Sequence, residues 1–317
     1  MNKKIFANFA LFLTAMIWGV SFVAQKAGMD YVGPFSFNFA RSLLGGLSLA
    51  PLIFIIKLAK KDRRPEKLKQ KQHILLAKAG ISCGAALFIA MSIQQYSMLE
   101  ASAGKAGFIS SLYIIFVPMI LAFFGQKLDR NVKISICAAL VGLYLLCFKN
   151  SVGGFGIYDV LLLISAFFYG VHILVVNYFS KHIDASKISC LQFLVVSILS
   201  IPLMLIFETP TFESFIACKI PILYAGILTC GVAYTLQIFG QKYTAPAVAS
   251  LILCLESVFA VVGGSLILHE TMSVKEGLGC VFMISAVILS QIHMKSIKKG
   301  FPQLSRKEEE QIADFDR

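Results

Sequence analysis

Residues 5–25 read IFANFALFLTAMIWGVSFVAQ, a predominantly apolar run without a charged side chain. A helix needs about 20 apolar residues to cross the ~30 Å hydrocarbon core of a bilayer, so this run fits one crossing. Nine further stretches are mainly apolar and of similar length, at residues 35–57, 74–97, 103–125, 132–149, 156–179, 187–207, 217–241, 246–268 and 274–294. The pattern predicts an all-α integral membrane protein with ten transmembrane helices.

The composition supports a bilayer as the solvent. Of the 317 residues, 57% are hydrophobic and 15% are charged, and the mean hydropathy is +0.78. This is more apolar surface than one soluble core of that length can bury. The eight cysteines show no CxxC spacing and are interpreted as small interior hydrophobes. We therefore expect no disulfide, no metal and no other cofactor.

The formal net charge of +12 is distributed unevenly around the predicted spans. With the N-terminus in the cytoplasm, 22 Lys and Arg residues fall on the cytoplasmic side and five on the other side. This imbalance follows the positive-inside rule and predicts that both termini are cytoplasmic, with a polar tail at 297–317. The basic loop at 57–73 is expected to contact anionic lipid headgroups, and no nucleic-acid partner is expected.

The ten stretches form two successive sets of five, which divide the chain into repeats at 1–150 and 151–296. Two offsets, of 151 and 143 residues, align identical or similar residues of the sets: Trp18-Gly19 with Tyr169-Gly170, Gln94 with Gln237, Ala106 with Ala249, and Leu112 with Leu255. An odd number of crossings per set places the second repeat upside down relative to the first. Inverted repeats around a central site are typical of secondary transporters.

Glu256 is the most informative polar residue because it lies about ten residues into the ninth stretch, near the expected midplane. An ionisable group in hydrocarbon costs at least ~2.5–3.5 kcal/mol, so its carboxyl should face protein or water. Two functional roles are open: coupling of transport to proton movement, or binding of a cationic part of a substrate. A structural, permanently protonated carboxyl that is hydrogen-bonded to a neighbouring helix is the alternative.

Arg41 lies in the second stretch, with Asn38 on the same helical face. The guanidinium group stays charged, and its planar fork can hold a carboxylate. We predict that Arg41 attracts an anionic substrate group or pairs with an acidic residue of another helix. A fixed clamp onto backbone carbonyls is equally compatible with the sequence.

Other helices carry polar or aromatic residues at helical spacing, and buried polar groups need partners or a wet cavity. Those on the first, third, fourth, sixth and eighth stretches complete the predicted substrate-binding set: Trp18, Gln94, Tyr113, Tyr169, His172, Tyr234 and Gln237. Trp18 could instead be an interfacial anchor, and His172 a satisfied interior histidine. The fifth and tenth stretches have few interior polar residues and are predicted to be peripheral.

Four motifs, in this order, resemble the EamA-type members of the drug/metabolite transporter superfamily: Trp18-Gly19-Val20-Ser21-Phe22, Phe37-Asn38-Phe39-Ala40-Arg41, Ala103-Gly104-Lys105-Ala106-Gly107-Phe108 and Leu255-Glu256-Ser257-Val258-Phe259. The resemblance covers about residues 5–294. It implies ten helices in two inverted repeats, with helices one to four and six to nine around a central cavity. It also implies an inner-membrane exporter of small metabolites, such as amino acids or their derivatives, that works by alternating access.

The leading hypothesis is a secondary transporter that exports a small metabolite, with proton exchange as its energy source, as a monomer or homodimer with lipid contacts. A lipid or drug flippase on the same scaffold is the alternative. A membrane-embedded enzyme is disfavoured because Glu256, Arg41 and His172 stand alone on different helices, without a nucleophile and base or a ligand cluster. Nucleotide-driven transport is disfavoured because the chain has no GxxxxGK[ST] loop.

Overall fold

The computed structural model describes residues 3–59, 65–101, 103–147, 156–267 and 273–291, and all secondary structure in these ranges is helical. The predicted polar tail at 297–317 and part of the basic loop at 57–73 lie outside the described residues. Helices overlie every apolar stretch identified in the sequence. The expectation of an all-helical protein is therefore confirmed for the described part of the chain.

Six helices make up the first half of the chain: α1 Lys3–Gly28, α2 Pro34–Ala59, α3 Glu66–Ser97, α4 Ala103–Ser110, α5 Tyr113–Phe123 and α6 Arg130–Cys147. The second half contains α7 Ile157–Phe179, α8 Ala185–Phe207, α9 Phe212–Ala217, α10 Lys219–Leu223, a π-helix at Tyr224–Ala233, α11 Tyr234–Tyr243, α12 Pro246–Leu253, α13 Glu256–Ile267 and α14 Val274–Gln291.

Among the described residues, eight helical segments are long and apolar enough to cross a bilayer: Lys3–Gly28, Pro34–Leu58, Glu66–Ser97, Lys105–Phe123, Ile157–Phe179, Ala185–Phe207, Lys219–Tyr243 and Val274–Gln291. A ninth apolar segment, Pro246–Val262, is shorter. Large hydrophobic side chains on their outer surfaces are exposed, as expected for helices that face lipid. The protein is thus a multi-pass membrane protein.

Two of the predicted stretches are broken helices. The fourth stretch is divided into α4 and α5 by a turn at residues 111–112, and the ninth is divided into α12 and α13 by a turn at residues 254–255. The second break starts a new helix at Glu256, so Glu256 begins a helix and does not lie within a continuous ninth one. The eighth stretch is helical from Lys219 onward and contains the ten-residue π-helix.

The two halves of the chain interlock instead of lying side by side. α2 packs against α8, α3 against α7 and α8, and α1 against α11 and α13. Glycines permit the closest approaches: a Cβ added at Gly19 of α1 would lie 2.6 Å from the carbonyl oxygen of Glu256, and one at Gly84 of α3 would lie 2.7 Å from Val195 of α8. The interface between the halves is therefore built partly from backbone-to-backbone contact.

One end of the bundle, here called the N-terminal face, contains the start of α1. Its helix ends are joined by polar contacts: Asn177 Nδ2 donates to the carbonyl oxygen of Gln241 (2.9 Å), and Thr244 Oγ1 donates to Asn8 Oδ1 (3.0 Å). These bonds fix α7, α11 and α1 together at this end.

The other end, here called the opposite face, contains the turn between α1 and α2. Here Lys105 Nζ lies 2.8 Å from the carboxylate of Asp159, which joins α4 to α7. The Glu208 carboxylate, at the end of α8, accepts a hydrogen bond from the backbone N–H of Phe35 (2.8 Å). A carboxylate at a helix N-terminus satisfies unpaired N–H groups, so Glu208 fixes the start of α2.

Candidate functional site

A cavity of about 450 Å³, a volume that includes its open mouth, lies between the two halves of the chain. It is lined by residues from α1, α2, α3, α4, α5, α7, the π-helix, α11 and α13: Trp18, Ser21, Phe22, Gln25, Arg41, Met91, Gln94, Ser110, Tyr113, Tyr169, Thr229, Cys230, Tyr234 and Glu256. Seven of the ten substrate-binding residues predicted from the sequence are in this set. α6 and α14 contribute none of its lining and pack mainly against each other.

Arg41 brings a positive charge to the wall of the cavity. Its side chain is 2% exposed, and Nε and Nη2 have no hydrogen-bond partner among the described residues. The guanidinium carbon lies 5.5 Å from the ring centroid of Phe37, one helical turn away, which gives a cation–π contact. The structure thus offers neither the acidic partner nor the carbonyl clamp as an acceptor for these two nitrogens within the described residues.

Glu256 brings a carboxyl group to the same cavity, at the first position of α13. Ser111 Oγ and Tyr113 OH donate to its Oε1, at 3.0 and 3.1 Å. Ser111 Oγ also lies 3.0 Å from Ser257 Oγ, and the thiol of Cys254 donates to the carbonyl oxygen of Ser111 at 3.2 Å. The two helix breaks are therefore in direct contact, and the carboxyl group lies where they meet.

A chain of side-chain hydrogen bonds crosses the cavity wall from α7 to α4. Tyr169 OH donates to Gln94 Oε1 at 2.8 Å, and Gln94 Nε2 donates to Ser110 Oγ at 2.8 Å. Because each member fixes the next, the phenol and the amide have defined orientations.

Trp18 and Tyr234 form an aromatic wall, with ring centroids 4.7 Å apart. Trp18 Nε1 is buried and has no hydrogen-bond partner among the described residues. A buried indole N–H usually has a partner. The placement agrees with the prediction that Trp18 lines a pocket and not with an interfacial anchor.

Three predicted site residues do not line the cavity. Asn38 is buried between α2 and α3, where its Nδ2 donates to the carbonyl oxygen of Met91 at 3.2 Å. His172 Nε2 lies 3.1 Å from Gln192 Oε1, and Gln237 is buried with its Oε1 unpaired. Helical spacing groups these residues with the lining residues of their helices but does not give the depth at which the cavity ends.

Other lining residues were not among the predicted set. Ser21 and Gln25 follow Trp18 at helical spacing, so the polar face of α1 is a signal for them. Thr229 and Cys230 of the π-helix line the cavity. The last residue of the π-helix, Ala233, accepts a hydrogen bond at its carbonyl oxygen from Thr14 Oγ1 of α1 (3.0 Å). π-Helical turns are rare and often mark functional sites, but the sequence carries no simple signal for them.

The fold and the cavity define a class of protein, a multi-pass helical membrane protein whose two halves enclose a polar interior. The EamA-like transporter family model matches the chain twice, at residues 5–148 and 156–291. The chain therefore belongs to the EamA-like transporter family, and it is a transporter and not an enzyme.

Three relatives support this assignment. An uncharacterized transporter of Archaeoglobus fulgidus is 28% identical over 92% of this chain and 88% of its own length. The uncharacterized transporter YoaV of Bacillus subtilis is 24% identical over 87% of this chain and 93% of its own length. An uncharacterized transporter of Clostridium kluyveri is 25% identical over 89% of this chain and 90% of its own length.

A solved crystal structure is similar to the whole fold. It superimposes with a TM-score of 0.72 and covers 90% of this chain and 96% of its own length, at 16% sequence identity. Similarity at that level of identity concerns the fold alone.

Proposed function

We propose that the protein is a secondary active transporter that exports a small metabolite, an amino acid or related compound, across the cytoplasmic membrane in exchange for protons. The observation that carries this proposal is that Arg41, whose Nε and Nη2 have no partner among the described residues, and Glu256 line the same cavity. A site with one fixed cation and one carboxyl fits a molecule that carries both charges. Transport proceeds by alternating access to this cavity.

We further propose ten crossings in two inverted repeats, 1–150 and 151–296, with the tail at 297–317 and both termini in the cytoplasm. The offset of 143 residues supports the repeats. Adding 143 to the first and last residue numbers of α4 gives the first and last residues of α12, and adding it to the first residue of α5 gives the first residue of α13. The same offset relates Tyr113 to Glu256 and Ser111 to Cys254, and each of these pairs is in contact. Contact between equivalent residues is expected where a two-fold axis passes between two repeats.

The proposed substrate site follows from the polar groups of the cavity. Arg41 binds the substrate carboxylate through its two free nitrogens, since a guanidinium fork matches a carboxylate. Trp18, Tyr113, Tyr169 and Tyr234 enclose the remainder of the molecule, while Gln94 orients it.

Glu256 is proposed as the proton-coupling group. Both hydroxyl donors address Oε1, and Oε2 has no hydrogen bond within the described part of the chain. This oxygen can bind either a proton or the substrate ammonium group, and the two compete for it. Competition for one carboxyl is sufficient to exchange a proton for a substrate.

Purified protein in liposomes tests the proposal. Uptake of a panel of labelled amino acids is measured with and without a proton gradient, beside matched compounds that lack either the amino or the carboxyl group. The expected result is uptake above that of empty liposomes for compounds with both charges, and stimulation by the gradient. Movement of labelled lipid between leaflets with no uptake of the panel would replace this proposal by a lipid flippase.

A further inference from the structure

A line of buried polar residues runs from the cavity toward the N-terminal face. The inner seam, as it is called here, consists of His172 and Asn177 of α7, Gln192 of α8, and Gln237 and Gln241 of α11, all at most 6% exposed. It begins beside the cavity, because the His172 ring packs edge-on against Tyr234 with centroids 5.9 Å apart. It ends where Asn177 donates to the carbonyl oxygens of Gln241 and Thr244.

The inner seam is incompletely hydrogen-bonded. Gln192 Nε2, Gln237 Oε1 and Gln241 Oε1 are buried without a partner among the described residues. A buried amide atom without a partner loses the hydrogen bonds that water would supply, and such atoms call for a specific explanation. Packing of three helices does not require amides here, since an apolar side chain of similar size would avoid the cost.

The inner seam is also closed. None of its residues lines the cavity. α1 contacts α11 closely beside it, so that a Cβ added at Gly240 would lie 2.5 Å from Leu11 Cγ and 2.9 Å from the carbonyl oxygen of Ala7. By contrast, the lining residues of α1, from Trp18 to Gln25, lie in the half of that helix directed toward the opposite face.

The two repeat offsets connect the inner seam to the open cavity wall. The offset of 151 residues carries Ser21 to His172 and Arg41 to Gln192. The offset of 143 carries Gln94 to Gln237. Three lining residues of the first repeat therefore correspond to three seam residues of the second.

We propose that the inner seam is the second access route of the transporter, and that His172, Gln192 and Gln237 line the substrate path when the cavity opens to the N-terminal face. The inference rests on the proposed function, because it requires inverted repeats and alternating access. In that mechanism the two repeats exchange conformations, so residues equivalent to an open wall become a wall in the other state. The unpaired amides are then groups that water and substrate satisfy once the route opens.

Thiol labelling from each side of the membrane tests this inference. Gln192→Cys and Gln237→Cys are placed singly in the full chain, and inside-out membrane vesicles are treated with a charged, membrane-impermeant maleimide. Peptide mapping by mass spectrometry locates the label, so the native cysteines stay in place. Ile198→Cys, at a 64% exposed position on the outer surface of α8, is the lipid-facing control. Ser21→Cys and Gln94→Cys, treated from the opposite face, report on the open cavity.

The expected result is labelling of both seam cysteines from the N-terminal face at least about tenfold faster than Ile198→Cys, because a thiol reacts as thiolate in water. No labelling of either seam cysteine, in variants that keep the monodisperse elution profile and Tm of the wild type, overturns the inference.

Transport by liposomes that contain the wild-type protein is a separate readout. If they transport but the seam is unreactive, the inference alone fails. If the seam is reactive but no compound of the panel is transported, the proposed substrate class fails and the route stands.

Discussion

The cavity wall and the α6–α14 pair are both interfaces between helices, but they differ in how closely the helices approach each other. In the cavity wall, Arg41 Nε and Nη2 and Trp18 Nε1 have no protein partner in the described structure. In the α6–α14 pair, Gly142 allows contact so close that an added Cβ would lie 2.9 Å from the carbonyl oxygen of Gly279. The cavity wall therefore contains hydrogen-bond donors without a protein acceptor, whereas at Gly142 the α6–α14 pair has no space for an additional methyl group.

On the proposed function, this difference separates residues that bind substrate from residues that hold the scaffold together. Unpaired buried donors destabilise a fold, and in the cavity wall the proposed substrate supplies the missing acceptor. Close packing at a peripheral pair stabilises the scaffold, and substitutions there act on folding. Substitutions in the cavity wall should therefore change transport more than stability, and those in the α6–α14 pair should do the reverse.

The largest effect is expected for Arg41→Ala. Removing one partner of a buried charged contact costs about 2–5 kcal/mol, which corresponds to a loss of at least about 30-fold in substrate affinity. Arg41→Lys, the matched control, keeps the charge without the planar fork and should lose less. Concentration-dependent uptake into liposomes measures both. Equal affinity in the alanine variant and the wild type would show that Arg41 does not contact substrate.

A second large effect is expected for Glu256→Gln. The amide is nearly isosteric with the carboxyl but does not bind or release a proton near neutral pH. Gradient-driven accumulation of substrate should therefore fall to the level of empty liposomes. Exchange of labelled for unlabelled substrate, measured at several pH values without a gradient, should become independent of pH. Glu256→Asp keeps a carboxyl and should retain a pH dependence. Full transport with an unchanged pH profile in the glutamine variant would remove the coupling role.

Much of the fold could be predicted from the sequence because a bilayer imposes a simple rule on helix length and apolarity. The helix breaks could not be predicted. The turn at residues 111–112 contains neither glycine nor proline, whereas Pro118 and Pro51 lie inside helices that continue through them. The breaks occur where two distant segments meet, so they depend on tertiary contacts that local sequence does not contain.

Seven of the ten residues predicted for the site line the cavity. Polar residues such as Gln94 and Tyr169 are conspicuous in a predominantly apolar helix, and helical spacing then predicts which face of the helix carries them. Met91 and Phe22 also line the cavity but carry no polar signal. His172 and Gln237 carry the signal but do not line the cavity, which is what the proposed second access route requires of residues that line the path in the other state.

A smaller effect is expected for Trp18→Phe, which keeps an aromatic ring against Tyr234 and removes the unpaired N–H. A hydrogen bond between neutral groups contributes about 0.5–1.5 kcal/mol. A substrate that accepts a hydrogen bond from the indole should therefore lose about twofold to 12-fold in affinity, measured by concentration-dependent uptake. Unchanged affinity in the variant would indicate that the indole only packs.

The smallest effect on transport is expected for Gly142→Ala in the α6–α14 pair. The new methyl group meets the carbonyl oxygen of Gly279 and the Met283 side chain at 2.9 Å, and such overpacking costs about 1–3 kcal/mol. Thermal unfolding in detergent should therefore show a lower Tm, while the transport rate per folded molecule stays at the wild-type value. Gly277→Ala, in α14, is the matched control: its added Cβ meets nothing within 4 Å, so the Tm should not fall. If Gly142→Ala instead slowed transport at an unchanged Tm, the α6–α14 pair would belong to the moving parts of the transporter, and the contrast with the cavity wall would not hold.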